Sequence, residues 1–181
     1  MTNIQKQCLL MFLGYYPGPV DGIWGEKSRQ GTVDFQNEHN LPADGIFDTE
    51  TEQAILTAIT DPDWWRTIRY FTREEFACKC GKYCDGYPNE MKRTVVHLAD
   101  RARAHFGRPA LVVSGLRCEK HNAAVGGVEN SQHMTGEAVD LQIPGVSSAE
   151  LLSFLQQQPE LRYAYAINDA NVHLDVPRGS L

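Results

Sequence analysis

Two short segments in the last third of the chain combine residue types that bind metal ions. The segment SQHMTGEAVD places His133 seven residues before Asp140, and the segment NVHLDV carries His173. Two imidazoles and one carboxylate form the three-ligand set of a catalytic zinc site, in which water takes the fourth position. The pattern therefore predicts a zinc centre with His133, Asp140 and His173 as its ligands.

The residues around these candidates alternate between apolar and polar side chains. Asp140 lies in the segment AVDLQI, and His173 lies in NVHLDV. A period of two is typical of a β-strand, because successive side chains point to opposite faces. We therefore expect two neighbouring strands to present Asp140, His173 and Asp175 on one polar face above a shared apolar core.

The motifs upstream of these segments carry a family resemblance. From LVVSGLRCEKHNAAVGGVENSQH onward, the chain reads SGxR, N, VGG, SxH, GxAxD and finally HxD. In this order and spacing, the motifs closely resemble the zinc D-Ala-D-Ala peptidase family. Its members include carboxypeptidases, dipeptidases and phage endolysins that cut peptidoglycan stem peptides. The resemblance covers about residues 70–178.

The resemblance implies a role for each matching residue. His133, Asp140 and His173 match the three zinc ligands of the family. Arg117 matches the arginine that lies near the metal and polarises the substrate carbonyl, and Ser131 matches a serine that helps to hold the substrate. Zinc lowers the pKa of its bound water to about 7, and a guanidinium stabilises the developing oxyanion.

The chain departs from the family at one catalytic position. Many members carry a catalytic Glu or Asp three residues before the last zinc ligand, where this chain has Ala170. The first candidate for the proton acceptor is Asp169, because a turn in INDAN could absorb the offset of one residue. The alternative is Asp175, which should share the strand face of His173 but could instead orient a zinc ligand. If neither serves, the domain is a binding-only relative.

A repeat in the first third of the chain indicates a separate unit. The segment VDGIWGEKS (20–28) is echoed by ADGIFDTET (43–51), with Asp21 and Asp44 spaced 23 residues apart. Each DGI predicts a turn that is followed by the start of a helix.

Three helices are predicted around this repeat, over residues 3–13, 26–39 and 49–60. A capping-box pattern at Thr49 and Glu52 would begin the third helix. The expected inner stripe of the first helix consists of Ile4, Cys8, Met11 and Phe12.

With Phe35, Gln36 and Leu41, the repeat resembles the small peptidoglycan-binding domain found on many wall hydrolases, over about residues 3–60. The resemblance implies that this part of the chain binds bacterial peptidoglycan. The second copy is less exact, since Asp48 replaces the usual glycine.

The predicted fold class is two domains. An all-α, three-helix peptidoglycan-binding domain covers residues 1–62, and an α+β zinc peptidase domain covers residues 70–181. In the second domain, LVVSG, AVDLQI and NVHLDV are predicted strands of a small antiparallel sheet, with helices behind it.

Four of the five cysteines belong to the second domain. Cys78, Cys80, Cys84 and Cys118 allow three disulfide connectivities or a second, structural zinc, whereas Cys8 is expected to pack in the first helix. FACKCGKYC resembles a cysteine-containing segment of some family members, in which SGLRC offers a partner. Since CxCxxxC is not a standard zinc-knuckle pair, we favour at least one disulfide to Cys118 that forms outside the cell. Reduced thiols are the alternative for a protein stored in the cytosol.

Composition and charge narrow the possible partners. The 181-residue chain has a net charge of -6 and no basic run, so nucleic acid is not an expected partner. The longest apolar run, CLLMFLGYY, is far shorter than the roughly 20 residues of a membrane span.

The first residues do not resemble a secretory signal. This combination fits a monomeric phage or prophage endolysin that accumulates in the cytoplasm and is released through a holin. Removal of a signal peptide from the natural chain is the alternative.

The sequence thus predicts a zinc-dependent peptidoglycan peptidase that cleaves a bond in the stem peptide or cross-link. The alternative is a non-catalytic wall-binding protein with a structural or vestigial zinc site. D,D-carboxypeptidase, cross-link endopeptidase and L-Ala-D-Glu endopeptidase activities all remain open.

Overall fold

Three helices pack their apolar faces together in the first of two units, Met1–Thr67 and Ile68–Leu181, of the computed structural model. Residues 1–16 and 18–180 are described. The helices are α1 (Asn3–Phe12), α2 (Glu26–Glu38) and α3 (Thr49–Thr60), each within one residue of its predicted span, and a 3-10 turn follows at Trp64–Thr67. The largest side chains of their core are Leu10, Leu13, Tyr15, Tyr16, Phe35, Phe47 and Ile55.

The buried face of α1 differs from the predicted stripe. Met11 is buried and Phe12 packs against the core, as predicted, but Ile4 is 52% exposed, Cys8 is also exposed, and Gln7 and Leu10 are buried instead. A search for apolar periodicity misses part of this face because a glutamine occupies one of its central positions.

The start of α3 also differs from prediction. The carboxylate of Asp48 caps the helix by accepting a hydrogen bond from the backbone N–H of Thr51 at 2.8 Å. The predicted capping box at Thr49 and Glu52 is therefore wrong by one position. An aspartate is a strong N-cap residue, and Asp48 replaces the glycine usual in this repeat.

A buried glutamine holds the first copy of the DGI repeat. The side-chain amide of Gln7 donates to Oδ1 of Asp21 and to the carbonyl of Ile23, both at 3.0 Å. Its own oxygen accepts a hydrogen bond from the N–H of Gly22 at 2.8 Å. Gly22 has a φ of 76°, a conformation that glycine adopts without strain.

The second copy repeats these contacts. Gln36 donates to Oδ1 of Asp44 at 3.1 Å and to the carbonyl of Ile46 at 3.0 Å, and it accepts from the N–H of Gly45 at 2.9 Å. The repeat found in the sequence is therefore also a structural repeat. In each copy, a glutamine side chain forms hydrogen bonds with the backbone groups of the turn.

The second unit combines helices with a four-stranded sheet. A 3-10 helix at Arg73–Phe76 begins with the Thr72–Glu75 capping box. The longer helices are α4 (Arg93–Phe106), α5 (Glu119–Ala124) and α6 (Ser148–Leu155), and the strands are β1 (Leu111–Ser114), β2 (Ala138–Gln142), β3 (Tyr163–Ala166) and β4 (Asn171–Asp175). Within the described residues, no helix is long and apolar enough to cross a membrane.

The sheet is antiparallel, with strand order β1-β2-β4-β3, and three of its strands lie where the sequence predicts them. The additional strand, β3, forms a hairpin with β4. Helices α4 and α6 contact the central strands β2 and β4. The apolar residues of these strands are fully buried, namely Val139, Leu141, Val172 and Leu174. The predicted α+β fold is confirmed.

Candidate metal centre

The two central strands place two of the three predicted ligands side by side. In the antiparallel register of β2 and β4, Asp140 pairs directly with His173. His133 reaches the same place from the turn that precedes β2, and it is 2% exposed. Gln132 holds this turn by donating to the carbonyl of Val176 at 2.6 Å. Residues 40 positions apart in sequence thus meet above the sheet.

The three candidate ligands converge through one atom each. Nε2 of His133 lies 3.2 Å from Oδ1 of Asp140 and 3.3 Å from Nδ1 of His173, and that Nδ1 lies 2.8 Å from Oδ1 of Asp140. Zinc bonds of about 2.0–2.1 Å in a tetrahedron separate neighbouring ligands by about 3.3 Å. The donor set and its spacing therefore fit a single zinc ion.

Each histidine is oriented from its opposite ring nitrogen. Nδ1 of His133 donates to the carbonyl of Gly115 at 2.8 Å, which leaves Nε2 free to bind a metal. Nε2 of His173 lies 3.3 Å from Oδ2 of Asp175. Asp175 is itself held by two hydrogen bonds from Arg162, at 2.8 and 2.5 Å.

The two carboxylates of the group are held in the ionised form that binds metal, whereas the pKa of His173 is raised: burial lowers it, and hydrogen bonds with Asp140 and Asp175 outweigh burial. Burial alone would raise the pKa of Asp140, but hydrogen bonds to His133 and His173 hold its pKa well below its usual range. The pKa of Asp175 is also lowered: burial opposes the shift, and the bonds to His173 and Arg162 outweigh it. Both carboxylates are therefore ionised at neutral pH.

Arg117 lies against the candidate metal ligands. Its guanidinium donates to Oδ2 of Asp140 at 2.5 Å and to Oγ of Ser114 at 2.8 Å. Its backbone N–H donates to the carbonyl of His133 at 3.0 Å. The structure thus brings the predicted arginine to the predicted ligands, with its side chain 15% exposed.

The other predicted residues differ in how closely they approach this group. Ser131 is 7% exposed and lies in the turn that leads to His133. Asp169 is exposed in the turn between β3 and β4, and its carbonyl accepts the N–H of Ser148. Its carboxylate makes no contact with the ligand group in the described structure. At about 3.3 Å per strand residue, the end of β4 at Asn171 is already about 7 Å from His173.

Tyr165 lies beside the centre and is absent from the predicted site. It pairs with His173 across β3 and β4, and the two rings lie 4.9 Å apart. Burial, followed by the negative charge of Asp140, raises the pKa of Tyr165, so its phenol stays protonated and can donate a hydrogen bond. The alternating segment YAYA could have revealed a strand here, but its partner strand cannot be read from that pattern.

Comparison with known families agrees with this geometry. The model of the peptidase M15 family matches residues 69–175, which is more than half of the chain. The chain belongs to the peptidase M15 family. A second family, described as a peptidoglycan binding domain, matches residues 4–55. The M15 match contains all three candidate ligands and Arg117.

Two curated relatives are similar to parts of this M15 protein. The zinc D-Ala-D-Ala carboxypeptidase of Streptomyces albus G is 30% identical over 137 residues, which are 70% of this chain and 52% of the relative. The spore cortex-lytic enzyme of Bacillus cereus is 34% identical over 55 residues, which are 30% of this chain and 21% of the relative. The chain therefore spans about half or less of the length of these relatives. The predicted zinc cofactor agrees with the family match and with the ligand group.

Proposed function

We propose that this M15 protein is a zinc-dependent peptidase that cleaves a peptide bond of bacterial peptidoglycan. The observation that carries the proposal is the convergence of His133, Asp140 and His173 with the guanidinium of Arg117 beside them. The three atoms that face one another suit zinc. The match of residues 4–55 to a peptidoglycan binding domain and the cell-wall-lytic relatives support the choice of polymer.

The chain's own residues have distinct parts in this proposal. A bound zinc would polarise the scissile carbonyl and lower the pKa of an attacking water. Arg117 would stabilise the negative charge that develops on the carbonyl oxygen, and Ser131 would hold the substrate near the first ligand. Gly115 and Asp175 would orient the two histidines.

The two candidate proton acceptors occupy different positions. Asp175 lies behind His173, on the side away from the other ligand atoms, and both of its oxygens bind Arg162. This placement favours an orienting role. Asp169 lies in the exposed β3–β4 turn, so it would serve as the acceptor only if that turn closes over the centre when substrate binds.

We infer that residues of the first unit bind the wall and those of the second cleave it. The two turns held by Gln7 and Gln36 present Ile23 and Ile46 to solvent, and these residues are 70% and 60% exposed. Exposed apolar residues on turns that are held by hydrogen bonds are suited to contact with a ligand.

Digestion of purified peptidoglycan, with and without a chelator, tests the proposal. We expect new peptide ends by mass spectrometry in the presence of zinc, none with chelator, and none with His133→Ala. His105→Ala changes an exposed histidine on α4 and should leave cleavage intact. Wall binding by zinc-loaded protein without any cleavage would instead favour the binding-only alternative.

A further inference from the structure

Four of the five cysteines bring their sulfur atoms together in the second unit. The sulfurs of Cys78, Cys80, Cys84 and Cys118 all lie within 4.8 Å of one another. Cys8 is exposed on α1. Four mutually close sulfurs are the donor set of a closed, structural zinc site.

The spacing of the sulfurs suits one zinc ion. Zinc–sulfur bonds of about 2.3 Å place tetrahedral sulfur ligands about 3.8 Å apart. Sγ of Cys80 and Sγ of Cys84 lie 3.5 Å apart, and no two of the four sulfurs are separated by more than 4.8 Å. A disulfide joins sulfurs in pairs, so it would not require four sulfurs to meet at one point.

Backbone N–H groups point at three of the sulfurs. The N–H of Tyr83 donates to Sγ of Cys80 and the N–H of Cys118 donates to Sγ of Cys78, both at 3.3 Å. The N–H of His121 donates to Sγ of Cys118 at 3.4 Å. Such donors stabilise thiolates, and the thiolate is the form in which cysteine binds a metal.

The cluster closes a segment that lacks regular secondary structure. Residues 77–92 contain no helix or strand in the described structure. The N–H of Cys78 bonds to the carbonyl of Gly86 at 2.7 Å, which closes the loop that carries Cys80 and Cys84. A loop of this length without helix or strand gains stability from a metal crosslink.

A close backbone approach brings the last cysteine to this loop. The N–H of Leu116 donates to the carbonyl of Phe76 at 2.8 Å. Gly115 lies so near that a Cβ there would meet the carbonyl oxygen of Phe76 at 2.4 Å. Cys78 lies two residues after Phe76, and Cys118 lies two residues after Leu116. The contact between these two segments therefore brings the two sulfurs close together.

We propose that Cys78, Cys80, Cys84 and Cys118 hold a second zinc ion through four thiolates. Each thiol releases its proton to solvent as the metal binds, and no electron transfer is involved. The site differs from the disulfide to Cys118 that the sequence favours. Because Arg117 immediately precedes Cys118, this zinc is a structural anchor for the segment that places the guanidinium beside Asp140.

Metal content of the purified full chain tests the second site. After loading with zinc under reducing conditions and removal of unbound metal, we expect two zinc ions per wild-type chain. Both His133→Ala and Cys80→Ser should retain one. One zinc in the wild type and none in His133→Ala would overturn the proposal. One zinc in both proteins would support the thiolate site and count against the metal centre of the proposed function.

Thiol alkylation gives a test that requires no variant. In the native, zinc-loaded protein we expect iodoacetamide to modify Cys8 and to spare the four cluster cysteines. Chelator and denaturant without reductant should then expose all five. Cluster cysteines that react only after reduction would be disulfide-bonded, and cluster cysteines that react natively as fast as Cys8 would bind no metal. Either result overturns the proposal.

Cobalt substitution separates the two centres spectroscopically. Cobalt(II) bound to thiolates gives a sulfur-to-metal charge-transfer absorption, which imidazole and carboxylate ligands do not produce. This band should persist in His133→Ala and lose intensity in Cys80→Ser, whereas Cys8→Ser should leave it unchanged. A band that is lost in His133→Ala, or retained in full in Cys80→Ser, would contradict the assignment.

Discussion

Arg117 and Asp140 form an ion pair in which the guanidinium binds one carboxylate oxygen at 2.5 Å, while the other oxygen faces His133 and His173. One carboxylate therefore joins the arginine to the candidate metal ligands. Any movement of the Asp140 side chain would change both the spacing of the candidate ligand atoms and the position of the guanidinium.

Arg117→Lys should preserve the positive charge but lose the two-pronged geometry that reaches Asp140 and Ser114. We expect kcat/KM for peptidoglycan fragments to fall by about 100-fold, the typical effect of removing one oxyanion donor. Zinc content, measured in the same samples, should stay at the wild-type level. Arg108→Lys, which alters an exposed arginine, is the matched control. Unchanged turnover in Arg117→Lys would remove Arg117 from the proposed mechanism.

Asp175→Asn should weaken zinc binding, because the amide cannot replace the charge that orients His173. Loss of such a partner typically lowers metal affinity by about 10–100-fold. Competition with a chromogenic chelator measures this affinity directly. If Asp175→Asn keeps full zinc affinity, the orienting role is wrong.

Asp169→Asn should retain zinc and most of the turnover, since Asp169 is exposed in the β3–β4 turn and is not one of the converging ligand residues. Turnover and zinc content of this variant are measured beside the wild type. A fall in kcat by orders of magnitude with zinc retained would identify Asp169 as the proton acceptor and would show that the turn closes during catalysis.

Tyr165→Phe tests whether the phenol beside His173 contacts substrate. Loss of one hydrogen bond to a substrate group should reduce kcat/KM by about tenfold. The matched control is Tyr163→Phe, because Tyr163 lies on the same strand but pairs with Asp175 instead of His173. Equal effects in the two variants would argue for a general change in β3.

His97 predicts a pH dependence of stability. It is 1% exposed on α4; burial, followed by the charge of Arg101, lowers its pKa to about 3. An unfolded histidine binds a proton below about pH 6.5 and the buried one does not, so stability is complete above that pH and falls as the pH drops toward 3.

At pH 5 this loss amounts to about 2 kcal/mol, from roughly 1.5 pH units at about 1.4 kcal/mol each. Denaturant unfolding at pH 7 and pH 5 should therefore show a steeper decline in the wild type than in His97→Gln. Other titrating groups are common to both proteins. Parallel pH profiles would contradict the prediction.

Gln36→Leu should destabilise the first unit, because the N–H of Gly45 and the carboxylate of Asp44 lose a buried partner. The expected cost is about 3 kcal/mol. Calorimetry should show a lower transition temperature for one of two transitions. Gln53→Leu, at an exposed position of α3, should have little effect.

Much of the fold was predictable because it depends on periodic patterns. Alternation within AVDLQI and NVHLDV identifies both central strands, and their pairing places Asp140 opposite His173. Part of the buried face of α1 escaped prediction because Gln7 is buried through hydrogen bonds, which hydrophobicity does not record.

The unpredicted parts of the site depend on contacts between distant segments. Tyr165 reaches the centre only through the pairing of β3 with β4, and YAYA by itself does not name its partner. The spacing of the cysteines in the sequence likewise does not reveal that the backbone of Gly115 lies close to Phe76. This contact brings Cys118 to the other three cysteines. Local sequence patterns do not reveal contacts of this kind between distant segments.

Gly115 contacts both proposed metal sites, which use different ligands. Its carbonyl orients His133, and its lack of a side chain permits the contact that brings Cys118 to the loop of Cys78. The methyl group added by Gly115→Ala would clash with the backbone of Phe76 and would shift the carbonyl that orients His133. The two proposed centres therefore share one backbone position, and a single small substitution there is expected to disturb the ligands of both.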